Sequence, residues 1–377
     1  MSLYEITGKG WERQQMNSRK IFTGRILSAA GIFLAVCSIF ISGVMAGDVR
    51  GEEKTAERAA DRPAETWTKG AGTPLEQHGA LRVQGTKLVD KQGETVRLVG
   101  MSTHGLAWFP QYVSQETLLT LRDDWKTNCV RLALYTEEYN GYCSGGNQEE
   151  LKTLVRRGVD AATNLGMYVI IDWHVLSDQN PNVHKEEARA FFAEMSALYR
   201  DQENVLYEIC NEPNTSASWE EIKQYAGEII PVIRTNDPDA VIIVGTPTWS
   251  QDIHLAAESP LAFDNVMYAL HFYAATHTDW LRQRLADCVQ KGLPVFVSEF
   301  GLCDASGNGN NDFVQAQQWM ALLEQYGISC CNWNLANKAE SSSVISPSCP
   351  KISGWAEDEL SESGRWISAY FRQTAGQ

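Results

Sequence analysis

Short apolar runs recur along the chain between residues 96 and 337, and polar loops and longer segments with one apolar face separate them. The runs are rich in β-branched and aromatic residues, a pattern typical of strands that are buried on both faces. There are eight runs: 96–105, 129–135, 167–174, 205–213, 240–247, 266–273, 294–301 and 329–337. We therefore predict eight buried parallel strands.

Amphipathic segments alternate with these runs and predict helices. Ser114 is a suitable N-cap for the first helix, and Gly166 follows the second helix at a position where helices commonly end. The predicted helices are 114–127, 149–165, 185–200, 218–234, 278–291, 311–326 and 359–372. Eight strands alternating with helices predict an α/β fold of the (β/α)8 TIM barrel type. A doubly wound open sheet is the rival, but no GxGxxG motif follows the first strand, so the barrel is preferred.

The chain before the barrel divides into two parts. Residues 26–46 carry no charge and follow a basic stretch, and Ala46 ends a small-residue cleavage pattern. We read residues 1–46 as a secretory signal peptide or a signal anchor, with Met16 as an alternative translation start. The composition of residues 47–77 is polar and predicts a flexible linker.

The catalytic domain is predicted to span residues 78–373. Near its beginning, the apolar stretches 81–88 and 95–98 flank the turn-like segment 90–93. These stretches predict a small N-terminal hairpin that caps the floor of the barrel.

The composition restricts the partners. The chain has 32 Lys and Arg against 47 Asp and Glu, giving a formal net charge of -15, with no basic cluster. Nucleic acid is therefore not an expected partner, because phosphate binding needs clustered cations. Twelve Trp residues are present, and they serve either the core or the stacking of sugar rings. No cofactor motif or Cys/His metal spacing occurs, so no cofactor and no metal site are predicted.

Nine cysteines are present, and Cys37 lies in the apolar N-terminal segment. Four are predicted to be small buried hydrophobic residues in or beside strands: Cys129, Cys210, Cys330 and Cys331. Three lie in predicted loops and can form disulfides in an oxidising compartment: Cys143, Cys303 and Cys349. The pairing is not deducible from the sequence.

Polar residues stand at the carboxyl end of nearly every predicted strand. They are His104, Arg131, Asp172, His174, Asn211, Glu212, Thr246, His271, Tyr273, Glu299, Asn332 and Trp333. Active sites of TIM barrels lie at this face, so we expect these side chains to converge.

Glu212 and Glu299 leave the fourth and seventh predicted strands. They are either buried salt-bridge partners or the acid/base and the nucleophile of a glycosidase. Arg131 is expected to keep Glu299 ionised, since a nearby cation favours the charged form. We further expect Asn211 to hold a sugar hydroxyl. Tyr273 is expected to donate to the nucleophile, and His271 to tune the acid.

A metal-dependent barrel hydrolase is an alternative, because His104, His174 and His271 all stand at strand ends. Such enzymes usually begin with an HxH pair on the first strand, and His104 stands alone. A non-catalytic glucan-binding barrel is a further alternative, although both carboxylates are present.

Several motifs together resemble glycoside hydrolase family 5, over residues 78–371. They are Asn211-Glu212-Pro213, Ser298-Glu299-Phe300-Gly301, Asp172-Trp173-His174, His271-Phe272-Tyr273 and Arg131. Residues 104–109 and the segment from Trp333 through Lys338 and Glu340 resemble its bacterial endo-β-1,4-glucanase branch.

The resemblance implies that Glu212 is the acid/base, that Glu299 is the nucleophile, and that a further set completes the catalytic site: Arg131, His174, Asn211, His271 and Tyr273. It also implies substrate binding by His104, Trp108, Trp333, Lys338, Glu340 and Ala305. The expected activity is retaining hydrolysis of internal β-1,4 bonds in cellulose or related β-glucans. Alternative activities within the family are the hydrolysis of β-1,4-mannan, of xyloglucan or of lichenan. We expect glucan and cello-oligosaccharides as partners, no obligate protein partner, a monomer and a secreted location.

Overall fold

The computed structural model describes residues 72–374, which begin with a five-residue helix, α1 (Pro74–His78). The Thr73 hydroxyl accepts a hydrogen bond from the Glu76 amide, and the Glu76 carboxylate accepts one from the Thr73 amide. This capping box, with Pro74 in the first turn, fixes the start of the helix. Residues 74–77 were assigned to the linker from their polar composition, and that boundary is corrected to lie before Thr73.

A two-stranded hairpin follows, formed by β1 (Arg82–Gln84) and β2 (Lys87–Val89). Its turn includes Gly85 at φ 60°, a backbone conformation that glycine adopts at low cost in two-residue turns. The predicted turn at residues 90–93 instead closes a short bridge between Val89 and Thr95. The small N-terminal hairpin is confirmed, with its tight turn a few residues earlier than expected.

The eight predicted barrel strands are all present, and each lies inside its predicted run. They are β3 (Val99–Thr103), β4 (Cys129–Tyr135), β5 (Tyr168–His174), β6 (Val205–Glu208), β7 (Ile242–Val244), β8 (Val266–Tyr273), β9 (Val295–Gly301) and β10 (Cys330–Leu335). Neighbouring strands pair in parallel, and β10 pairs with β3 to close the barrel. The (β/α)8 TIM barrel is therefore confirmed.

Helices cover the outside of the barrel. The longer ones are α2 (Gln115–Asp123), α3 (Gln148–Asn164), α4 (Lys185–Tyr199), α5 (Trp219–Asn236), α8 (Asp279–Gln290), α9 (Phe313–Tyr326) and α10 (Glu362–Thr374). These seven match the predicted helices. Two short helices after β7, α6 (Pro247–Ser250) and α7 (Ile253–Glu258), were not predicted.

Alternating strand residues divide the core into two layers. Tyr168 and Ile170 of β5 pack inside the barrel together with Leu81 and Leu88 of the hairpin region. Val169 and Ile171 of the same strand pack outward against the helices. The hairpin therefore closes the amino-terminal end of the barrel, which leaves the carboxyl ends of the strands for the site. Each large apolar side chain buried in this way contributes roughly 1.5–3 kcal/mol.

All eight cysteines of the described residues are free thiols. Burial of the four strand cysteines is confirmed. The three loop cysteines that could form disulfides, Cys143, Cys303 and Cys349, are unpaired in this part of the chain, and Cys303 and Cys349 are buried.

The predicted signal segment, residues 1–46, lies outside the described residues. Within residues 72–374, no helix has the length and apolar character needed to cross a membrane.

Candidate active site

Arg131 occupies the centre of the barrel mouth. It lies in the middle of β4 and is fully buried. Its Nε donates to Glu208 Oε2 at 2.7 Å, its Nη1 to Glu299 Oε2 at 3.2 Å, and its Nη2 lies 3.1 Å from Asp172 Oδ2. One guanidinium therefore holds three buried carboxyl groups from three different strands, a task suited to its planar set of donors.

Glu208 is the strongest acid of this group and is absent from the predicted site. Burial raises its pKa, but Arg131 and His271 outweigh that effect and lower the pKa to about 2. Burial lowers the pKa of Arg131, but the charges of Asp172, Glu208 and Glu299 outweigh burial and raise that pKa well above its usual value. Glu208 and Arg131 thus form a permanent ion pair. The available sequence signal was a single Glu inside an otherwise apolar strand.

Glu299 lies in β9 and is held at both oxygens. Tyr273 Oη donates to Oε1 at 2.8 Å, and Arg131 binds Oε2. Burial, reinforced by the charge of Glu212, raises the pKa of Glu299 to about 7, although His271, Arg131 and Tyr273 act in the opposite direction. The predicted contact of Arg131 with Glu299 is present. Arg131 favours the ionised form as expected, but burial and the charge of Glu212 weigh more.

Glu212 lies in the loop after β6, four residues beyond the strand end. Its backbone amide donates to the Val175 carbonyl at 3.1 Å, which fixes the loop against the end of β5. A Glu212 carboxylate oxygen lies within 4.8 Å of one of Glu299. The strands β6 and β9 are separated by β7 and β8 in the ring, so the two carboxyl groups meet across the mouth.

His271 connects Glu212 to Glu208. Its Nδ1 lies 2.9 Å from Glu212 Oε1, and its Nε2 lies 2.9 Å from Ser298 Oγ. Ser298 Oγ in turn donates to Glu208 Oε1 at 2.7 Å. Burial lowers the pKa of His271, but the neighbouring carboxylates of Glu208, 3.8 Å away, and of Glu212 outweigh burial and raise the pKa to about 9. His271 is therefore an imidazolium near neutral pH, with both nitrogens donating.

This protonation state bears on the metal alternative. Glu212, His271 and Glu299 each offer one potential metal ligand atom, and these three atoms lie within 4.8 Å of one another. They are the one cluster of potential metal ligands found among the described residues. A protonated imidazole has no lone pair for a metal ion. Arg131 beside Glu299 adds a further positive charge. The residues present therefore do not fit a resident cation.

Asn211 is fully buried directly before Glu212. Its Oδ1 accepts from Arg131 Nη2 at 2.6 Å, and its Nδ2 donates to the Val175 carbonyl at 3.1 Å. The arrangement orients the amide and uses one of the two Nδ2 hydrogens, so the other is available to a sugar hydroxyl.

Aromatic rings line one side of the mouth. Trp333 stacks on His174 with centroids 5.2 Å apart, and His104 lies 5.2 Å from Trp333 and 5.3 Å from Trp108. Tyr135 fills the space between these rings and was not predicted. The peptide bond between Trp333 and Asn334 is cis.

Both histidines of this wall are neutral. Burial lowers the pKa of His174 well below its usual value, and its Nδ1 lies 2.6 Å from Asp172 Oδ2. Burial, helped by Lys338, does the same to the pKa of His104. The Gly105 amide donates to Nδ1 of His104 at 2.7 Å, so the proton of His104 is on Nε2.

Lys338 and Glu340 reach this wall from the loop after β10. Lys338 Nζ lies 2.6 Å from Glu340 Oε2 and 5.6 Å from the centroid of the Trp108 ring. Glu340 Oε1 accepts from Asn334 Nδ2 at 2.9 Å. Ala305 lies in the loop after β9, where its amide donates to Thr276 Oγ1 rather than to the aromatic wall.

A third feature of the site that the sequence did not predict lies in α6. Thr248, Trp249 and Ser250 all have positive φ, between 53° and 59°. The Trp249 amide donates to the Pro213 carbonyl, and Ser250 Oγ donates to the Asn211 carbonyl. This left-handed turn places a half-buried tryptophan beside the Glu212 loop. Such strained backbone is often found at functional sites.

Residues 89–339 match the family described as Cellulase (glycosyl hydrolase family 5). Endoglucanase A of Butyrivibrio fibrisolvens is 50% identical over 296 residues, covering 78% of this chain and 68% of that protein. Endoglucanase 5 of Pectobacterium carotovorum is 47% identical over 306 residues, covering 81% of this chain and 60% of that protein. The chain thus spans roughly two thirds of the length of these curated relatives.

Solved structures of cellulases also superimpose on the barrel. The cellulase Cel5C_n superimposes with a TM-score of 0.77 at 44% identity, covering 81% of this chain and 95% of that one. The catalytic domain of Thermobifida fusca endoglucanase Cel5A, in complex with cellotetraose, gives a TM-score of 0.77 at 39% identity, covering 80% of this chain and 100% of that one.

Proposed function

The chain belongs to glycosyl hydrolase family 5, and we propose that it is an endo-β-1,4-glucanase that hydrolyses internal bonds of cellulose or related β-glucans with retention of configuration. Membership of the family supports the reaction class, and relatives named endoglucanases support the substrate. The particular roles of the side chains rest on their geometry.

The distance between the two carboxyl groups carries the proposal of retention. Retaining glycosidases hold their carboxyl groups about 5–5.5 Å apart, whereas inverting enzymes need about 6.5–9.5 Å to accommodate a water molecule. Oxygens of Glu212 and Glu299 within 4.8 Å of each other support direct attack by a carboxylate.

In the proposed first step, Glu299 attacks the anomeric carbon while Glu212 protonates the leaving glycosidic oxygen. The bond to the leaving sugar breaks as a glycosyl ester forms on Glu299. In the second step, Glu212 removes a proton from water, which then displaces the sugar from Glu299. The electrons of the ester bond return to Glu299, and the proton gained by Glu212 restores the starting state.

The surrounding residues support these roles. Arg131 and Tyr273 bind the two oxygens of Glu299 and orient it for attack. His271 donates to one oxygen of Glu212 and leaves the other free to face the substrate. Since His271 is tied through Ser298 to the anion of Glu208, its charge persists through the cycle.

Substrate binding is proposed for the aromatic wall, where apolar faces of glucose rings lie on Trp333 and Trp108. Lys338, Glu340 and His104 offer donors and acceptors to the hydroxyl groups on the non-reducing side of the cleaved bond. Trp249, on the Glu212 side, is suited to the leaving sugars. Ala305 is kept among the proposed substrate-binding residues only because of its position in the loop after β9.

The first experiment is the release of reducing ends by the full chain from carboxymethylcellulose, measured beside galactomannan. Activity on carboxymethylcellulose supports the proposal. Activity on galactomannan alone would keep the two glutamates and move the enzyme to a mannanase. Binding of glucan without release of reducing ends would favour a non-catalytic barrel.

Export from the cell and a monomeric state are also proposed. Export rests on the apolar segment at residues 26–46 and its basic flank. Cell fractionation with an antibody to the barrel tests it, and light scattering of the purified protein tests the monomer.

A further inference from the structure

The loop after β4 carries an aromatic side chain that the proposed reaction does not use. Tyr139 is 74% exposed, the highest value among the large hydrophobic side chains of the described residues. Within the same part of the chain, its ring and hydroxyl make no ring contact and no hydrogen bond with other residues. An isolated exposed aromatic residue needs no explanation by itself, so the argument depends on where it lies.

Tyr139 lies next to the aromatic wall. The indole Nε1 of Trp108 donates to the Tyr139 carbonyl at 2.7 Å. The exposed fraction is 7% for Trp333, 37% for Trp108 and 74% for Tyr139. The backbone at Tyr139 therefore adjoins Trp108, and Tyr139 is the most exposed of the three aromatic residues.

The backbone of this loop is well fixed. Glu138 points inward with 7% exposure, and its Oε1 accepts from the Ser177 amide at 3.0 Å. Its carbonyl accepts from the Gly141 amide and from Ser144 Oγ. A ring presented from an ordered loop loses little entropy on binding, which favours its use as a contact surface.

We propose that Tyr139 forms an additional sugar-binding subsite, which receives the third glucose unit on the non-reducing side of the cleaved bond. The first and second units lie at Trp333 and Trp108. The inference rests on the proposed function. Its ligand class is a β-1,4-glucan with at least three glucose units on that side. The enzyme then prefers longer chains, because a third ring gains contact area on Tyr139.

Chromogenic glycosides test this directly, because nitrophenol release fixes the cleaved bond. p-Nitrophenyl β-cellobioside places two glucose units on the non-reducing side, and the β-cellotrioside places three. Tyr139→Ala is expected to lower kcat/KM for the cellotrioside by about threefold to tenfold, the size of one aromatic contact, and to leave the cellobioside unchanged. Tyr139→Phe, which keeps the ring, is expected to behave as the wild type.

Leu198→Ala, on the outer helix α4, is a control of similar exposure at 51% and is expected to change neither rate. An unchanged cellotrioside rate in Tyr139→Ala would overturn the inference, as would an equal fall for both glycosides. A wild-type protein that hydrolyses neither glycoside nor carboxymethylcellulose would instead contradict the proposed function. The two failures are thus distinguishable.

Discussion

Nδ1 of His271 lies 2.9 Å from Oε1 of Glu212, on the far side of an imidazole ring whose Nε2 contacts Ser298. The ring is enclosed between the anion of Glu208 and the catalytic carboxyl pair. Its raised pKa is therefore a property of the folded state, since an unfolded chain offers neither partner. This relationship links the stability of the barrel to pH.

The pKa of His271 is raised to about 9 in the folded protein, against roughly 6.5 in an unfolded chain. The extra stability is fully present below about pH 6.5 and is lost as pH rises through 9, an effect of the order of 3 kcal/mol. Urea unfolding at pH 6 and at pH 9.5 measures it. His271→Asn is expected to lose much less stability over this interval, and equal losses in both proteins would contradict the prediction.

Activity is expected to rise as pH rises through about 7. Burial and the charge of Glu212 raise the pKa of Glu299 to about 7, and the proposed nucleophile must be ionised to attack the anomeric carbon. Below this pH Glu299 is protonated, and the nucleophile is absent. The pH profile of kcat/KM on a soluble cello-oligosaccharide measures the free enzyme.

A control is needed because burial also raises the pKa of Glu138 to about 7. Glu138→Gln removes that second titration and is expected to keep the acidic limb of the profile in place. If the limb disappears in Glu138→Gln, the assignment to Glu299 is wrong.

Arg131→Met is expected to destabilise the protein by about 3–5 kcal/mol, because it leaves buried carboxylates without their cation. The urea midpoint at pH 8 measures the loss, which should diminish at lower pH as these carboxyl groups protonate. Arg156→Met is the matched control: Arg156 pairs with Glu194 at the surface. Its loss is expected to stay within about 1 kcal/mol. Similar losses in the two variants would show that the buried network contributes little.

Trp108→Ala is expected to raise KM for cellotetraose roughly tenfold, since an exposed ring binds the sugar equally in the ground and transition states. kcat should change much less. Trp108→Phe keeps a smaller ring, and its KM is expected to lie between those of the wild type and Trp108→Ala. A fall in kcat with unchanged KM would instead place Trp108 in the chemical step.

The sequence predicted the barrel because each strand is a continuous apolar run and each long helix has an apolar face. Convergence of the polar strand ends followed from the topology alone. Glu208 was not predicted because one glutamate in an apolar strand gives no sign of its partners. Only the fold reveals that Arg131, from another strand, neutralises it.

Other features depend on three-dimensional surroundings. The left-handed turn at Trp249 has no glycine to announce it and is fixed by contacts to the Glu212 loop. The pKa of Glu299 is the balance of burial and four charged or polar neighbours, which no linear motif encodes. Helix α1, by contrast, has a local signal in the sequence, because Thr73 and Glu76 have the spacing of a capping box.

The most direct test of the mechanism is the anomeric form of the first product, followed by proton NMR during hydrolysis of cellopentaose. The proximity of Glu212 and Glu299 predicts that the β-anomer appears first and then mutarotates. Glu299→Gln is expected to release product at least ~10³-fold more slowly while still binding the oligosaccharide. Initial formation of the α-anomer would contradict double displacement and the role proposed for Glu299.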